Sequence, residues 1–169
     1  MKTLLFTCSL CLGLMAAQAQ MTAEEAMKKL HFLEGEWQGK AWTSMGKGQE
    51  YTLDQHEKVQ LKLNGTVVQV EGIGRENGAV AFQALGLMSY NTYKQAYEFR
   101  AYRDNGLFTD AYLEVKGDKN LEWGFSIPSG GKIKYVIQIN EQGQWYEIGH
   151  YSPDGNNWYK TFEMTLDKI

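Results

Sequence analysis

The chemistry open to this sequence rests on a few polar side chains that interrupt apolar alternation. In a strand, residues two apart share a face. A charged group inside an apolar series is therefore carried to the buried side, where lacking a partner costs about 1–3 kcal/mol. Gln55 and Glu57 stand between Leu53 and Val59, Arg103 follows Tyr97, Phe99 and Ala101, His150 follows Tyr146 and Ile148, and Lys160 stands between Trp158 and Phe162. Gathered in one cavity, these groups would orient a ligand by charge and hydrogen bonding, and Glu57 or His150 could act as a base in proton transfer. Each also has a plainer role. Arg103 and His150 stand beside turns, from which they could reach water at a rim. Lys160 could lay its stem on Trp158 and keep its ammonium in solvent. Gln55 and Glu57 are mid-strand, which leaves a bulge or a paired interior, an internal Glu57–Lys160 ion pair being one arrangement.

Other chemistries lack the required residues. His56 shares a face with Asp54, Lys58 and Lys62, and His31 falls on a short helix, so the three histidines form no ligand cluster and no metal site is expected. No cofactor is predicted; haem held through His150 alone is the one option, and it needs a cavity that excludes water. Gly72-Ile73-Gly74 lacks the third glycine and the following helix of a dinucleotide fingerprint, and reads as a bend or bulge. Ser126 and Ser129 have no nucleophile-elbow context, and Glu98 and Glu114 look like ordinary exposed strand carboxylates. Trp37, Trp123, Phe125, Tyr135, Trp145, Trp158 and Phe162 exceed what a small packed core needs, so they either line a cavity or fill the interior.

Positioning these side chains falls to strands. From Glu36 onward the apolar period is 2, and turn signals recur about every 10 to 14 residues. They are Met45 to Gly48, Asn64-Gly65, Asn77-Gly78, Asn91-Thr92-Tyr93, Asn105-Gly106, Gly117 to Asn120, Pro128 to Gly131, Glu141-Gln142-Gly143 and Pro153 to Asn157, nine turns separating ten strands. No intervening segment is long enough for a crossover helix, so neighbours pair in an up-and-down meander. A twisted sheet of that width curls, and closing it removes its exposed edges. The expected fold is all-β: an antiparallel up-and-down barrel of about ten strands. Leu121, Trp123, Phe125 and Ile127 mark one inner face, and Ile133, Tyr135, Ile137 and Ile139 another. The strands around Trp37/Trp42 and Ala81 to Met88 have no decisive face. Before them, Thr22-Ala23-Glu24-Glu25 is a capping box; a helix follows with Ala26, Leu30 and Leu33 on one side, ending at Gly35.

Composition narrows the setting. The chain has 169 residues, with 17 basic against 20 acidic side chains and no block of like charge, which argues against nucleic acid as a partner. Residues 1–19 have the form of a cleaved signal peptide, with Lys2, an apolar stretch from Leu4 to Met15 and Ala17-Gln18-Ala19 as the cleavage site. The apolar run is short of the roughly 20 residues of a spanning helix, so no membrane span is expected. Both cysteines, Cys8 and Cys11, lie in that segment, leaving residues 20–169 as one cysteine-free domain, exported to the periplasm or secreted.

Gly35-Glu36-Trp37-Gln38-Gly39 after a short helix, ten strands, and Ser152-Pro153-Asp154-Gly155 before the last strand together resemble the lipocalin-like, or calycin, superfamily. Its barrels begin with a Gly-x-Trp whose Trp closes one end. The likeness is specific at Gly35 and Trp37 and architectural elsewhere. It is nearest to uncharacterised secreted bacterial lipocalin-like proteins, so it implies a fold and transfers no catalytic residue. Fatty-acid-binding proteins carry Arg-x-Tyr on the last strand, whereas Arg100-Ala101-Tyr102 lies on the fifth. Nitrobindin-like haem barrels share a Gly-x-Trp-x-Gly start and a late proximal histidine, for which the sequence offers His150 alone.

The function expected from these features is a binding protein holding a small hydrophobic molecule among Trp37, Glu57, Phe99, Arg103, Trp123, Tyr135, His150 and Lys160. No catalytic residue is assigned. The alternatives are a cavity enzyme, an isomerase or lyase using Glu57 or His150, and a solid barrel that contacts a glycan or protein through Tyr90, Tyr93 and Tyr151. The oligomeric state is left open.

Overall fold

The computed structural model describes residues 20–44, 46 and 48–169. The expected leader, residues 1–19, lies outside them. The first element, α1 (Ala23–Lys28), starts with the anticipated capping box: the Glu25 amide donates to the Thr22 hydroxyl at 3.2 Å, and the Thr22 amide donates to the Glu25 carboxylate at 3.0 Å. The α-helix is shorter than the expected run to Gly35. After Lys29 the chain tightens into a 3-10 turn, His31–Leu33. Ala26, Met27, Leu30 and Leu33 are fully buried by this change of winding.

Ten strands follow: β1 (Gly35–Ser44), β2 (Glu50–Lys62), β3 (Val67–Glu76), β4 (Ala79–Asn91), β5 (Ala96–Arg103), β6 (Phe108–Gly117), β7 (Asn120–Ser126), β8 (Lys132–Ile139), β9 (Trp145–Ser152) and β10 (Tyr159–Lys168). Each pairs antiparallel with its sequence neighbours, and β1 also pairs with β10, closing the barrel. Asn77 and Gly78, at φ 51° and 84°, make the two-residue β3–β4 turn, where the positive dihedrals match the twist of the flanking strands. No helix among the described residues is long and apolar enough to cross a membrane.

Closure decides the faces that alternation left open. Trp37 and Ala41 point inward on β1, leaving the Trp42 indole outside, where its N–H donates to Glu50 at 3.3 Å. On β4 the inner set is Phe82, Ala84, Gly86 and Met88, with Leu87 exposed outside. On β9 the inner set is Trp145, Glu147 and Gly149, not the Tyr146/Ile148 face expected to carry His150 inward. Both faces of β9 hold apolar residues, and closure put Trp145 against Trp37. On β10 a register shift between Lys160 and Phe162 is a bulge that breaks the two-residue period. Lys160 consequently lies outside, bonded to Glu163 at 2.8 Å, and there is no internal Glu57–Lys160 pair.

The N-terminal segment plugs one end of the barrel. Met27, Leu30 and Leu33 belong to the same core cluster as Trp37 and Trp145, whose rings meet edge to face at 5.9 Å. The Trp37 indole N–H donates to the Leu33 carbonyl at 2.8 Å, and the Tyr97 hydroxyl donates to the Ala26 carbonyl at 2.8 Å. These bonds tie the segment to β1 and β5 and satisfy polar groups in an otherwise apolar layer.

Candidate functional site

Between that plug and the opposite rim lies a cavity of about 460 Å³. The interior is therefore not solid, which removes the premise of the interaction-module alternative. The cavity reaches an exposed rim at Tyr51, Glu76, Ala81 and Arg103, and its inner part is bounded by Met88, Phe99, Ile137, Trp145 and Met164. Small residues make the room. A Cβ added at Gly149 would stand 2.5 Å from the Tyr135 ring, and one at Gly86 2.8 Å from the Phe99 ring. The Trp123 and Tyr135 rings stack at 4.2 Å and 12°, with Phe99 edge-on to Trp123 at 5.0 Å and Phe162 edge-on to Tyr135 at 5.6 Å. Such walls offer broad apolar contact and π faces.

Two carboxyl groups face this aromatic space. Glu57 of β2 is 8% exposed and Glu147 of β9 is 6% exposed. Gln55, one inward step before Glu57, donates to Glu57 Oε1 at 2.7 Å. Gly72, across the ladder on β3, gives the Glu57 carboxyl its space, since a Cβ there would stand 2.7 Å and 2.9 Å from its two oxygens. Gly72 thus serves close approach, while the expected bulge falls at the other glycine of Gly72-Ile73-Gly74, between Gly74 and Arg75. Glu147 accepts from two indoles: Trp123 Nε1 to Oε1 at 3.1 Å and Trp145 Nε1 to Oε2 at 3.2 Å. Among the described residues no Lys, Arg or His nitrogen lies within 4 Å of either carboxyl.

Burial without a countercharge disfavours the ionised form. Desolvation raises Glu57 to about 7, against the opposing hydrogen bond from Gln55. Glu147 is raised further, to about 8, by desolvation and then by the charge of Glu57, against the two indole N–H groups. The charge of one opposes ionisation of the other, so the pair resists full ionisation. Burial also raises the Tyr135 hydroxyl to about 12, with Glu147 adding to the rise and Arg103 opposing it. In its protonated form each carboxyl can donate as well as accept a hydrogen bond, on the inner wall of a cavity that opens at the rim.

Of the residues picked from the sequence, Glu57, Phe99, Arg103, Trp123 and Tyr135 line the cavity. Trp37 lies beneath it, packed on Trp145 in the plugged end. Arg103 is exposed at the rim, with its guanidinium 4.6 Å from the centre of the Phe82 ring. His150 and Lys160 are register partners on the outer wall, away from the cavity. His150 lies between Lys134 and Lys160; its imidazole is held below its usual range by burial first, then by those two ammonium groups. No histidine lines the cavity, so the residues do not fit a haem held by imidazole inside the barrel. Among the described residues no group of three or more His, Cys, Asp or Glu could hold a metal ion. Alternation along β9 favours the Tyr146/Ile148 face and so passes over Glu147, which the structure turns inward. The available signal was its parity with Trp145 and Gly149, a bulky residue and a space-giving one flanking a carboxylate.

No family model matches the chain, and no curated protein matches it. Among solved structures it is similar to the crystal structure of Rv2717c from M. tuberculosis, at 12% identity and a TM-score of 0.62, over 85% of this chain and 97% of that one. Identity that low carries the architecture without the chemistry. The chain shares with that protein the fold of an antiparallel barrel, here of ten strands and closed on itself.

Proposed function

We propose that this chain is an exported, lipocalin-like binding protein that holds a small, largely apolar ligand inside its barrel. The observation that carries this reading is the cavity of about 460 Å³ bounded by Phe99, Trp123, Tyr135, Phe162 and Met164 with two carboxyl groups among them. Its size falls within the roughly 300–1,000 Å³ of small-molecule sites, which pair apolar walls with a few placed polar groups. Trp123 and Trp145 border the cavity, so occupancy should alter indole emission. Native mass spectrometry of protein purified from its own host, followed by titration of extracted compounds against tryptophan fluorescence, tests the reading. A bound species that shifts emission and raises the melting temperature supports it. Protein that carries nothing and responds to no lipid or aromatic compound overturns it.

A second reading, a cavity enzyme doing proton-transfer chemistry on an apolar substrate, is favoured by one observation. Glu57 and Glu147 are both raised into the range where a carboxyl group can give and take a proton near neutrality. One of the two would act as the base and the other as the acid. Turnover of the extracted ligand, abolished in both Glu57→Gln and Glu147→Gln, would establish it; recovery of that ligand unchanged argues for simple binding.

A further inference from the structure

The ligand-binding reading leaves the purpose of two buried acids unexplained. An apolar ligand needs neither, and a barrel wall would be more stable with neutral residues in their place. Their setting is also incomplete. Glu57 Oε2 accepts no hydrogen bond from any described residue, while Oε1 accepts only from Gln55. Each Glu147 oxygen takes one indole N–H and keeps a lone pair free. Among the described residues, the other charged groups bordering the cavity are Glu76 and Arg103, both at the rim, and the only other titratable group there besides Tyr51 is the Tyr135 hydroxyl. The inner cavity therefore holds acceptors and latent negative charge, with no basic side chain to match them.

Resting on that reading, we propose that the ligand is a small apolar molecule bearing one protonated amine, whose ammonium is held by the carboxyl groups of Glu57 and Glu147. An ammonium brings a positive charge and several N–H donors, complementing the free lone pairs of the two carboxyl groups. The aromatic and apolar side chains of Phe99, Trp123, Tyr135, Phe162 and Met164, which line the same cavity, take the apolar body. An anionic ligand would face two buried acids with Arg103 at the rim as the one basic group among the described lining residues, and a neutral ligand would bring no charged donor to their free lone pairs. Bringing a cation to the pair favours its ionised form, so binding expels proton from the carboxyls to solvent.

The test is calorimetric titration of the full protein with 4-phenylbutylamine and with 4-phenylbutan-1-ol, matched in shape and differing in charge. The amine is expected to bind about tenfold or more tighter than the alcohol at pH 7, with heats that vary between buffers in the sense of net proton release. Glu57→Gln and Glu147→Gln should each weaken amine binding about tenfold while leaving the alcohol within about threefold. Both substitutions remove a buried acid without changing shape, and a melting curve verifies each fold. Equal binding of the two compounds, or preference for the alcohol, overturns the amine inference and leaves an apolar binding cavity standing. Failure of both compounds to bind at millimolar concentration overturns the inference and the cavity reading together.

Discussion

The two ends of this barrel solve opposite problems with similar side chains. At the plugged end, Leu30, Leu33, Trp37 and Trp145 pack on one another, and the Trp37 indole N–H is satisfied by the Leu33 carbonyl. At the open end, Trp123, Tyr135 and Phe162 surround a void, and the Trp123 indole N–H is spent on a buried carboxylate. The N-terminal segment makes the difference. It supplies Met27, Leu30 and Leu33 to fill one end, and nothing equivalent among the described residues fills the other. Close packing is concentrated in the first region and unfilled apolar space in the second, because the same aromatic surface cannot both pack against protein and border a void.

Breaking the plugged end should have the largest effect. Trp37→Ala removes the Trp145 contact and the bond to Leu33, and is expected to cost about 3–5 kcal/mol in urea unfolding. Phe162→Ala, with one side already on the cavity, should cost less, under about 3 kcal/mol. Equal losses at the two sites would erase the distinction between a packed end and an open one.

The open end should be exposed by pH. Glu57 and Glu147 have folded-state values of about 7 and about 8, above their ordinary value of 4.5. For a raised carboxyl, the folded protein binds protons that the unfolded chain has released. The stabilisation tied to these groups is thus complete below about pH 4.5 and is lost as pH rises through 7 and 8, at about 1.4 kcal/mol per unit of difference. Ligand-free protein should lose stability between pH 5 and 8.5, and Glu147→Gln should flatten that slope and be the more stable protein at pH 8.5. A slope unchanged by the substitution would mean that the Glu147 carboxyl is solvated.

Smaller effects sharpen the contrast. Gly72→Ala places a methyl against the Glu57 carboxyl and should cost about 1–3 kcal/mol, with a displaced Glu57 titration seen by NMR. Thr22→Ala removes the cap of α1 and should cost about 1 kcal/mol, without altering that titration. If Thr22→Ala perturbs Glu57, the two ends are coupled rather than independent.

Local rules carried the sequence a long way. Nine turn signals placed ten strands, because Asn and Gly at positions such as Asn77-Gly78 satisfy dihedrals that other residues resist. The capping box started α1, and period-2 alternation set the faces of β7 and β8 and turned Glu57 inward among Leu53 and Val59. These features depend on neighbours within a few residues. The position of Glu147 does not. Both faces of β9 carry apolar side chains, and only the packing of Trp145 on Trp37, far away in the chain, selects the odd one. The outward turn of Lys160 follows from a bulge whose register is set by β9. The void itself is a volume left over when ten strands close around a plug, and no run of residues encodes a leftover volume. Alternation, turns and capping are properties of short segments and were legible in the sequence; which acids share a cavity, and that a cavity exists, depended on closure of the whole sheet.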